Sequence, residues 1–346
     1  MLEVILWALL KSVVLFLGFV LSGGAILTWV ERRMSARIQD RVGPNRANIG
    51  KFRFWGLLHP IADAVKMFLK EDLVPNGADR FLFFVAPLIS FAPALIVFVV
   101  IPFGPPIAGT QWLMVSDVQM GLLFLLAVGS LGIYGQVLAG WSSNNKWSLL
   151  GSARTVAQLF SYEAALTLSI LGLFMVYGTV APQEIITLQQ ETWFGWLPKW
   201  GVFTQPLAFI LFLFAFIAES KRAPFDLPEA DSELVAGYNT EYSAMRFALF
   251  YLSEFVGILV IGAVGAVLFF GGWHVPGLAG EQWWVILIQV GAFLLKVGAL
   301  VYLQMLIRWT LPRMRYDQVM NFSWKGLLPF GMANVLVTAL VLTLWP

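Results

Sequence analysis

The sequence contains no cysteine. That absence excludes disulfides, thiolate nucleophiles, cysteine-ligated zinc and iron–sulfur clusters held by this chain. Histidine is nearly missing as well. His59 and His274 stand 215 positions apart, which argues against a metal or haem site built from histidine. Electron-transfer chemistry here has to use carriers held elsewhere. Charge is the third scarcity: 12% of the 346 residues are charged, about half of the roughly 25% usual in soluble domains. A net charge of +2 gives no reason to expect a nucleic-acid partner. Nucleotide-binding motifs are absent too. No Gly-x-Gly occurs, and the nearest approach to a phosphate loop fails because Lys51 precedes Phe52, not Ser or Thr.

What the sequence has in abundance is apolar residues, 59% of the chain, in uninterrupted runs. Residues 81–116 and 118–145 contain no Asp, Glu, Lys or Arg. A hydrocarbon core about 30 Å thick needs about 20 apolar residues of helix, and backbone exposed to lipid must satisfy its own hydrogen bonds. The pattern predicts an all-α integral membrane protein, one polytopic domain over 1–346. The expected spans are 5–29, 81–103, 118–140, 156–179, 202–219, 248–270, 283–306 and 326–345. The first reads as a retained span and not a cleaved leader, because Glu31-Arg32-Arg33 follows it and no basic stretch precedes it. No internal repeat is evident.

Basic residues fix the expected orientation. The loops after spans 1, 3, 5 and 7 hold nineteen of the 22 Lys and Arg, and the intervening loops hold only Lys199. The positive-inside rule then predicts those four loops on the cytoplasmic side and both termini facing the periplasm or its equivalent. Two of them are long, 30–80 and 220–247, so function is expected on that face.

In the first long loop, residues 51–71 carry apolar residues at helical spacing with a thin polar stripe of His59, Asp63, Lys66 and Lys70. That describes an amphipathic helix lying in the membrane interface. A passive anchor fits the pattern, except that Asp63 sits among apolar residues, where a carboxylate costs more than a lysine that can snorkel. Before it, Gly43-Pro44-Asn45 has turn chemistry.

Carboxylates also interrupt or border the apolar spans at Glu163, Glu219 and Glu254. An ionised acid at mid-helix costs roughly 2.5–3.5 kcal/mol on insertion scales, so such residues are functional candidates. Local pairing is the plainer alternative: Glu254 with Arg246, and Glu219 with Lys221 or Arg222. The second long loop concentrates acids at Glu219, Asp226, Glu229, Asp231, Glu233 and Glu241, against Lys221 and Arg222, for a local charge of −4. Interleaved Pro224, Phe225, Leu227, Pro228, Leu234 and Val235 distinguish it from a disordered acidic tail. Acids crowded in a poorly solvated place bind protons more tightly and titrate together, as a proton relay requires.

These segments together resemble the quinone-site membrane subunit of respiratory complex I, the proton-pumping NADH:quinone oxidoreductase. The matching stretches are Glu31-Arg32-Arg33, residues 39–45 (QDRVGPN), residues 56–66 (GLLHPIADAVK), Ser161-Tyr162-Glu163, and residues 222–229 (RAPFDLPE) continuing to Glu241-Tyr242. The resemblance covers essentially the whole chain. It implies that Arg32, Arg41 and Asp63, with Glu31 beside them, line a quinone tunnel; His59 and Arg222 are further candidate site residues without an assigned role. It also implies that Glu163, Glu219, Asp226, Glu229, Asp231, Glu233 and Glu241 form a proton relay. Asp231 departs from the Glu expected there, and Glu254 has no assigned role. The implied substrate is a quinone, ubiquinone in the first instance. No cofactor or metal is implied on this chain, since FMN and iron–sulfur clusters belong to partner subunits. The implied partners are the hydrophilic arm with its terminal iron–sulfur cluster, small membrane subunits, antiporter-like pumping subunits and the bilayer. The equivalent subunit of a membrane-bound hydrogenase would share fold and acids but lack a quinone substrate. A stand-alone ion transporter would show pseudo-symmetric halves.

Overall fold

The computed structural model describes residues 2–107, 109–193, 195, 197–278, 280 and 282–344, with side chains for all of these except 2–6, 231 and 232. The chain starts with α1 (Leu2–Leu15), which passes through a π-helical turn at Phe16–Leu21 into α2 (Ser22–Ile38). Then come α3 (His59–Leu69), α4 (Arg80–Ile96), α5 (Gly121–Ser142), α6 (Lys146–Tyr177) and α7 (Pro182–Leu188). A two-stranded ribbon, β1 (Thr192–Trp193) and β2 (Leu197–Pro198), leads to α8 (Gly201–Thr204) and α9 (Pro206–Glu219). The remainder is α10 (Asp231–Leu234), α11 (Ala244–Phe269), α12 (Trp283–Thr310), α13 (Tyr316–Phe322) and α14 (Leu328–Leu344).

The fold is that of an all-helical, multi-pass integral membrane protein. Among the described residues, seven helical segments are long and apolar enough to cross a bilayer: Trp7–Ile38, Arg80–Val100, Gly121–Ser142, Lys146–Tyr177, Ala244–Phe269, Trp283–Thr310 and Tyr316–Leu344. The eighth expected segment, 202–219, is shorter than its apolar run suggests. Gln205 (φ −139°, ψ 64°) breaks it ahead of Pro206, leaving α9 with 14 residues. At 1.5 Å per residue α9 reaches about 21 Å. The Gln205 side chain at the break is buried and paired: its amide donates to Thr338 Oγ1 (2.8 Å) and accepts from Asn334 Nδ2 (3.1 Å).

α11 is the central helix, packed against α2, α4, α9 and α12. Around it, α1, α12 and α14 turn Val14, Leu17, Leu295, Leu336 and Leu340 outward, the apolar coat a lipid-facing surface needs. α4 and α5 cross closely because Gly135 leaves room; a Cβ there would collide with the backbone nitrogen of Ser90.

The first long loop differs from the expected single helix over 51–71. Only His59–Leu69 is α-helical; Phe54–Gly56 is a tight turn with Trp55 at φ 53°. Gly56 packs so closely on the Pro44 carbonyl that any Cβ would collide with its oxygen, so the chain turns instead of continuing helically. α3 buries none of its residues, and Ile61, Val65, Phe68 and Leu69 are exposed, the apolar face of an interfacial helix.

Candidate functional site

Charged side chains gather at the end of the bundle where α2, α9 and α12 finish and α6 and α11 begin. In the first loop, Arg32 Nη1 lies 2.6 Å from Asp63 Oδ2, with both side chains partly exposed. Asp63 is therefore compensated, which resolves how it survives among apolar neighbours. Arg41 donates to Ser35 Oγ (3.0 Å) and Gln39 Oε1 (2.7 Å) at the protein surface. His59 Nδ1 is 3.0 Å from the Gly56 carbonyl at the start of α3, a local bond that holds the turn.

Glu31 is set apart from these residues. One position along α2 is about 100° around the helix, so Arg32 points to the exposed pair while Glu31 turns into the bundle. There it is 6% exposed, pairs directly with Arg308 of α12 and lies 3.8 Å from Arg222 Nη1. Arg222 in turn reaches Glu254 Oε2 at 3.0 Å and covers the Phe255 ring at 4.8 Å. Burial opposes its charge, and the carboxylates of Glu254 and Glu229 outweigh that and hold the guanidinium firmly protonated. Glu254 thus pairs with Arg222 and not Arg246. Arg246 bonds Asp72 (3.1 Å) and sits over Phe84.

Tyr238 continues the chain. Its hydroxyl donates to Glu254 Oε1 (3.0 Å) and faces Glu229 Oε1 (3.3 Å), which also accepts from Asn239 Nδ2 (2.7 Å). Burial, then the neighbouring Glu254 carboxylate, pushes Glu229 well above the usual carboxylate range. Burial and the same two acids raise the Tyr238 hydroxyl far above its ordinary value, keeping it a donor. The loop reaches this position because Gly237 adopts φ +56° against the Pro228 carbonyl, and because Gly151 of α6 lets it seat closely.

Next to this network is a cavity of about 130 Å³ lined by Ser130, Gln136, Glu163, Glu219, Lys221 and Glu254 among others. It is large enough to hold several waters, in a wall that is mostly apolar apart from these few polar groups. Ser130 donates to Glu163, and Lys221 Nζ donates to Gln136 Oε1 at 2.5 Å. Burial lowers the Lys221 ammonium from its usual value, and Glu219, Glu254 and Glu229 partly offset this.

The remaining acids of the second loop are placed differently. Asp226 is half-buried and interacts electrostatically with Arg222 and Glu229. Glu233 is on the surface, 2.5 Å from Arg154 and 3.7 Å from Arg313, and the hydrogen bond from Arg154 lowers it below the ordinary carboxylate range. Glu241 accepts from Asn145 Nδ2 (2.6 Å), the residue that caps α6. The Asp231 side chain lies outside the described residues. Among the described residues no cluster of three or more His, Asp or Glu could hold a metal.

Sequence reasoning missed Tyr238, Arg308, Gln136 and Ser130 as members of the site. Only Arg308, one of four basic residues in the last charged loop, had a signal in the charge pattern.

Fold and site together define a polytopic membrane protein that gathers its scarce charges into one buried acid–base network beside a charged loop. The family model described as NADH dehydrogenase matches residues 10–339, and the chain belongs to that family. It is 45% identical over 338 residues to one of the NADH-quinone oxidoreductase H subunits of Geobacter metallireducens, covering 97% of this chain and 96% of the relative. It is 47% identical over 327 residues to the NADH-quinone oxidoreductase H subunit of Thermomicrobium roseum, covering 93% and 92%. An NADH-quinone oxidoreductase H subunit of Geobacter sulfurreducens is 44% identical over 334 residues, covering 96% and 95%.

Proposed function

We propose that this chain, a single membrane domain, is the subunit of a bacterial inner-membrane NADH:quinone oxidoreductase that forms the membrane end of the quinone tunnel. In this reading both termini face the periplasm and the charged loops face the cytoplasm. Its partners there are hydrophilic-arm subunits that hold FMN and the terminal iron–sulfur cluster; within the membrane they are small subunits and antiporter-like pumping subunits. With no cysteine, the chain receives electrons from those partners. A quinone, ubiquinone in the first instance, accepts two electrons and two protons and leaves as the quinol.

The observation that carries the reading is the continuity between the two loops. Arg32 and Asp63 pair at the surface, and Glu31, the next residue on the same helix, starts the buried path Glu31–Arg222–Glu254–Tyr238–Glu229. A change of charge at the quinone beside Arg32, Arg41 and Asp63 disturbs α2, and with it the pairing of Glu31. The carboxylates respond by taking up or passing a proton, and the cavity with Glu163 and Glu219 carries it on toward the pumping subunits. Asp226, Asp231, Glu233 and Glu241 belong to the same acidic loop and complete the proposed relay.

Two measurements test this on the assembled complex. A photoreactive quinone analogue should label peptides within 31–80 and 219–246, and labels confined elsewhere would overturn the tunnel. Glu163→Gln and Glu229→Gln should each impair proton pumping. A variant that kept both quinone reduction and pumping would remove that residue from the relay. Hydrogen evolution in place of quinone reduction would assign the chain to a hydrogenase.

A further inference from the structure

We propose that the groove between α2 and α12, at the charged end of the bundle, binds the headgroup of an anionic membrane phospholipid through Arg33 and Arg37. The groove measures about 160 Å³ and is lined by Trp29, Arg33, Arg37, Ile38, Tyr302 and Leu306 among others. Arg33 and Arg37 are four residues apart on α2, hence neighbours on one helix face. Both also border a second hollow of about 250 Å³ beside Arg41 and Gly43.

Neither arginine makes an ion pair or a side-chain hydrogen bond among the described residues. Their neighbours differ: Arg32 is paired with Asp63, and Arg308 with Glu31. Arg33 is half-buried and Arg37 exposed, and no carboxylate pairs with either among the described residues. Forked guanidinium donors fit the oxygens of a phosphodiester. Trp29 and Tyr302 are the amphipathic rings found at headgroup depth, and Ile26, Leu295 and Leu303 lie exposed further along the same two helices, where acyl chains would run. A basic pocket between membrane helices, roofed by aromatics and continued by an aliphatic surface, has the chemistry of a phospholipid site. A soluble anion would use the arginines and gain nothing from the rest. The proposal needs only that the helices lie in a bilayer and is independent of the quinone assignment.

The test uses the assembled complex. Purified in mild detergent, it should retain phosphatidylglycerol or cardiolipin, measured by mass spectrometry. The double variant Arg33→Gln/Arg37→Gln should lose that lipid, with affinity reduced on the order of thirty-fold when delipidated complex is titrated with phosphatidylglycerol in phosphatidylcholine nanodiscs. Equal retention by variant and wild type would overturn the proposal, as would displacement of the lipid by inorganic phosphate alone. A photoactivatable phenylalanine analogue at position 38, in an otherwise native complex, decides the matter if the double variant fails to assemble. Its crosslink should fall on phospholipid, and a crosslink to another protein of the complex would refute the site.

Discussion

Tyr238→Phe isolates the hydroxyl that joins the buried Glu254 to the half-buried Glu229. The ring is fully buried and packs edge-on against Phe250 with centroids 5.4 Å apart, so phenylalanine keeps the shape and removes only the donor. The hydroxyl is 3.0 Å from Glu254 and 3.3 Å from Glu229. A hydrogen bond to a charged group contributes about 1.5–3 kcal/mol, and 1.36 kcal/mol corresponds to about one pH unit of proton affinity. The single hydroxyl proton goes mainly to Glu254, so Glu229 keeps its bond from Asn239 and loses only a longer, shared contact, which puts the effect on Glu229 below the lower figure, under about one unit. The sign follows from which form is stabilised. A donated hydrogen bond favours the carboxylate, so losing it makes Glu229, already raised by burial and by Glu254, hold its proton to still higher pH. The pH–activity curve of quinone reduction should therefore move alkaline in proteoliposomes containing the assembled variant. Electron transfer from NADH to a soluble acceptor should be unchanged. A curve superimposable on wild type, with unaltered protons pumped per electron, would refute a proton-passing role for this network.

Other substitutions separate structural from functional charge. Arg222→Gln leaves Glu254 without its partner and Glu31 with only Arg308, and breaking a buried pair costs about 3–5 kcal/mol. Thermal inactivation of the purified complex should occur at clearly lower temperature, and wild-type stability would show the pairing to be inconsequential. Lys296→Met removes an ammonium that donates to the carbonyls of Phe270, Gly272 and His274 at 2.7–2.8 Å just beyond the end of α11. With charge-assisted bonds at about 1.5–3 kcal/mol each and partial replacement by water, a loss of roughly 2–4 kcal/mol in stability is expected, with the pH profile of turnover unmoved. A shifted profile would mean that Lys296 takes part in proton handling. Glu233→Gln disrupts a surface pair with Arg154 and Arg313, so pumping should fall less than in Glu229→Gln; equal losses would rank Glu233 with Glu229 in the relay.

The membrane class was legible because it depends on run length alone: 36 and 28 uncharged residues in succession leave no other fold. The candidates were legible because charge is scarce, so each acid in an apolar stretch stands out. Pairing was not legible. Glu31 meets Arg308 across 277 positions, and Glu254 takes Arg222 in preference to Arg246; sequence distance carries no information about such contacts in a bundle. Local backbone also escaped periodicity. Residues 51–58 alternate like a helix, but Gly56 meets Pro44 and Trp55 turns left-handed. The Gln205 side chain at the start of α9 finds its partners in Asn334 and Thr338, more than a hundred residues on.

Charge counting gives the network a further consequence. Glu31, Asp226, Glu229 and Glu254 surround Arg222 and Arg308, four acids against two bases. Fully ionised, the set carries a net negative charge in a poorly solvated place, and bound protons relieve it. The adjoining cavity repeats the imbalance, with Glu163 and Glu219 against Lys221. A balanced set would hold its charges and move nothing, whereas a set short of positive charge keeps a proton that can be exchanged. Glu31→Gln lessens the deficit in the first set, so Glu229 loses part of its reason to stay protonated. The pH–activity curve should then move toward acid, opposite in sign to Tyr238→Phe, whatever happens to the absolute rate of quinone reduction. If Glu31→Gln left the curve in place or moved it alkaline, the exchangeable proton would have to be sought outside the Glu31–Arg222–Glu254 network.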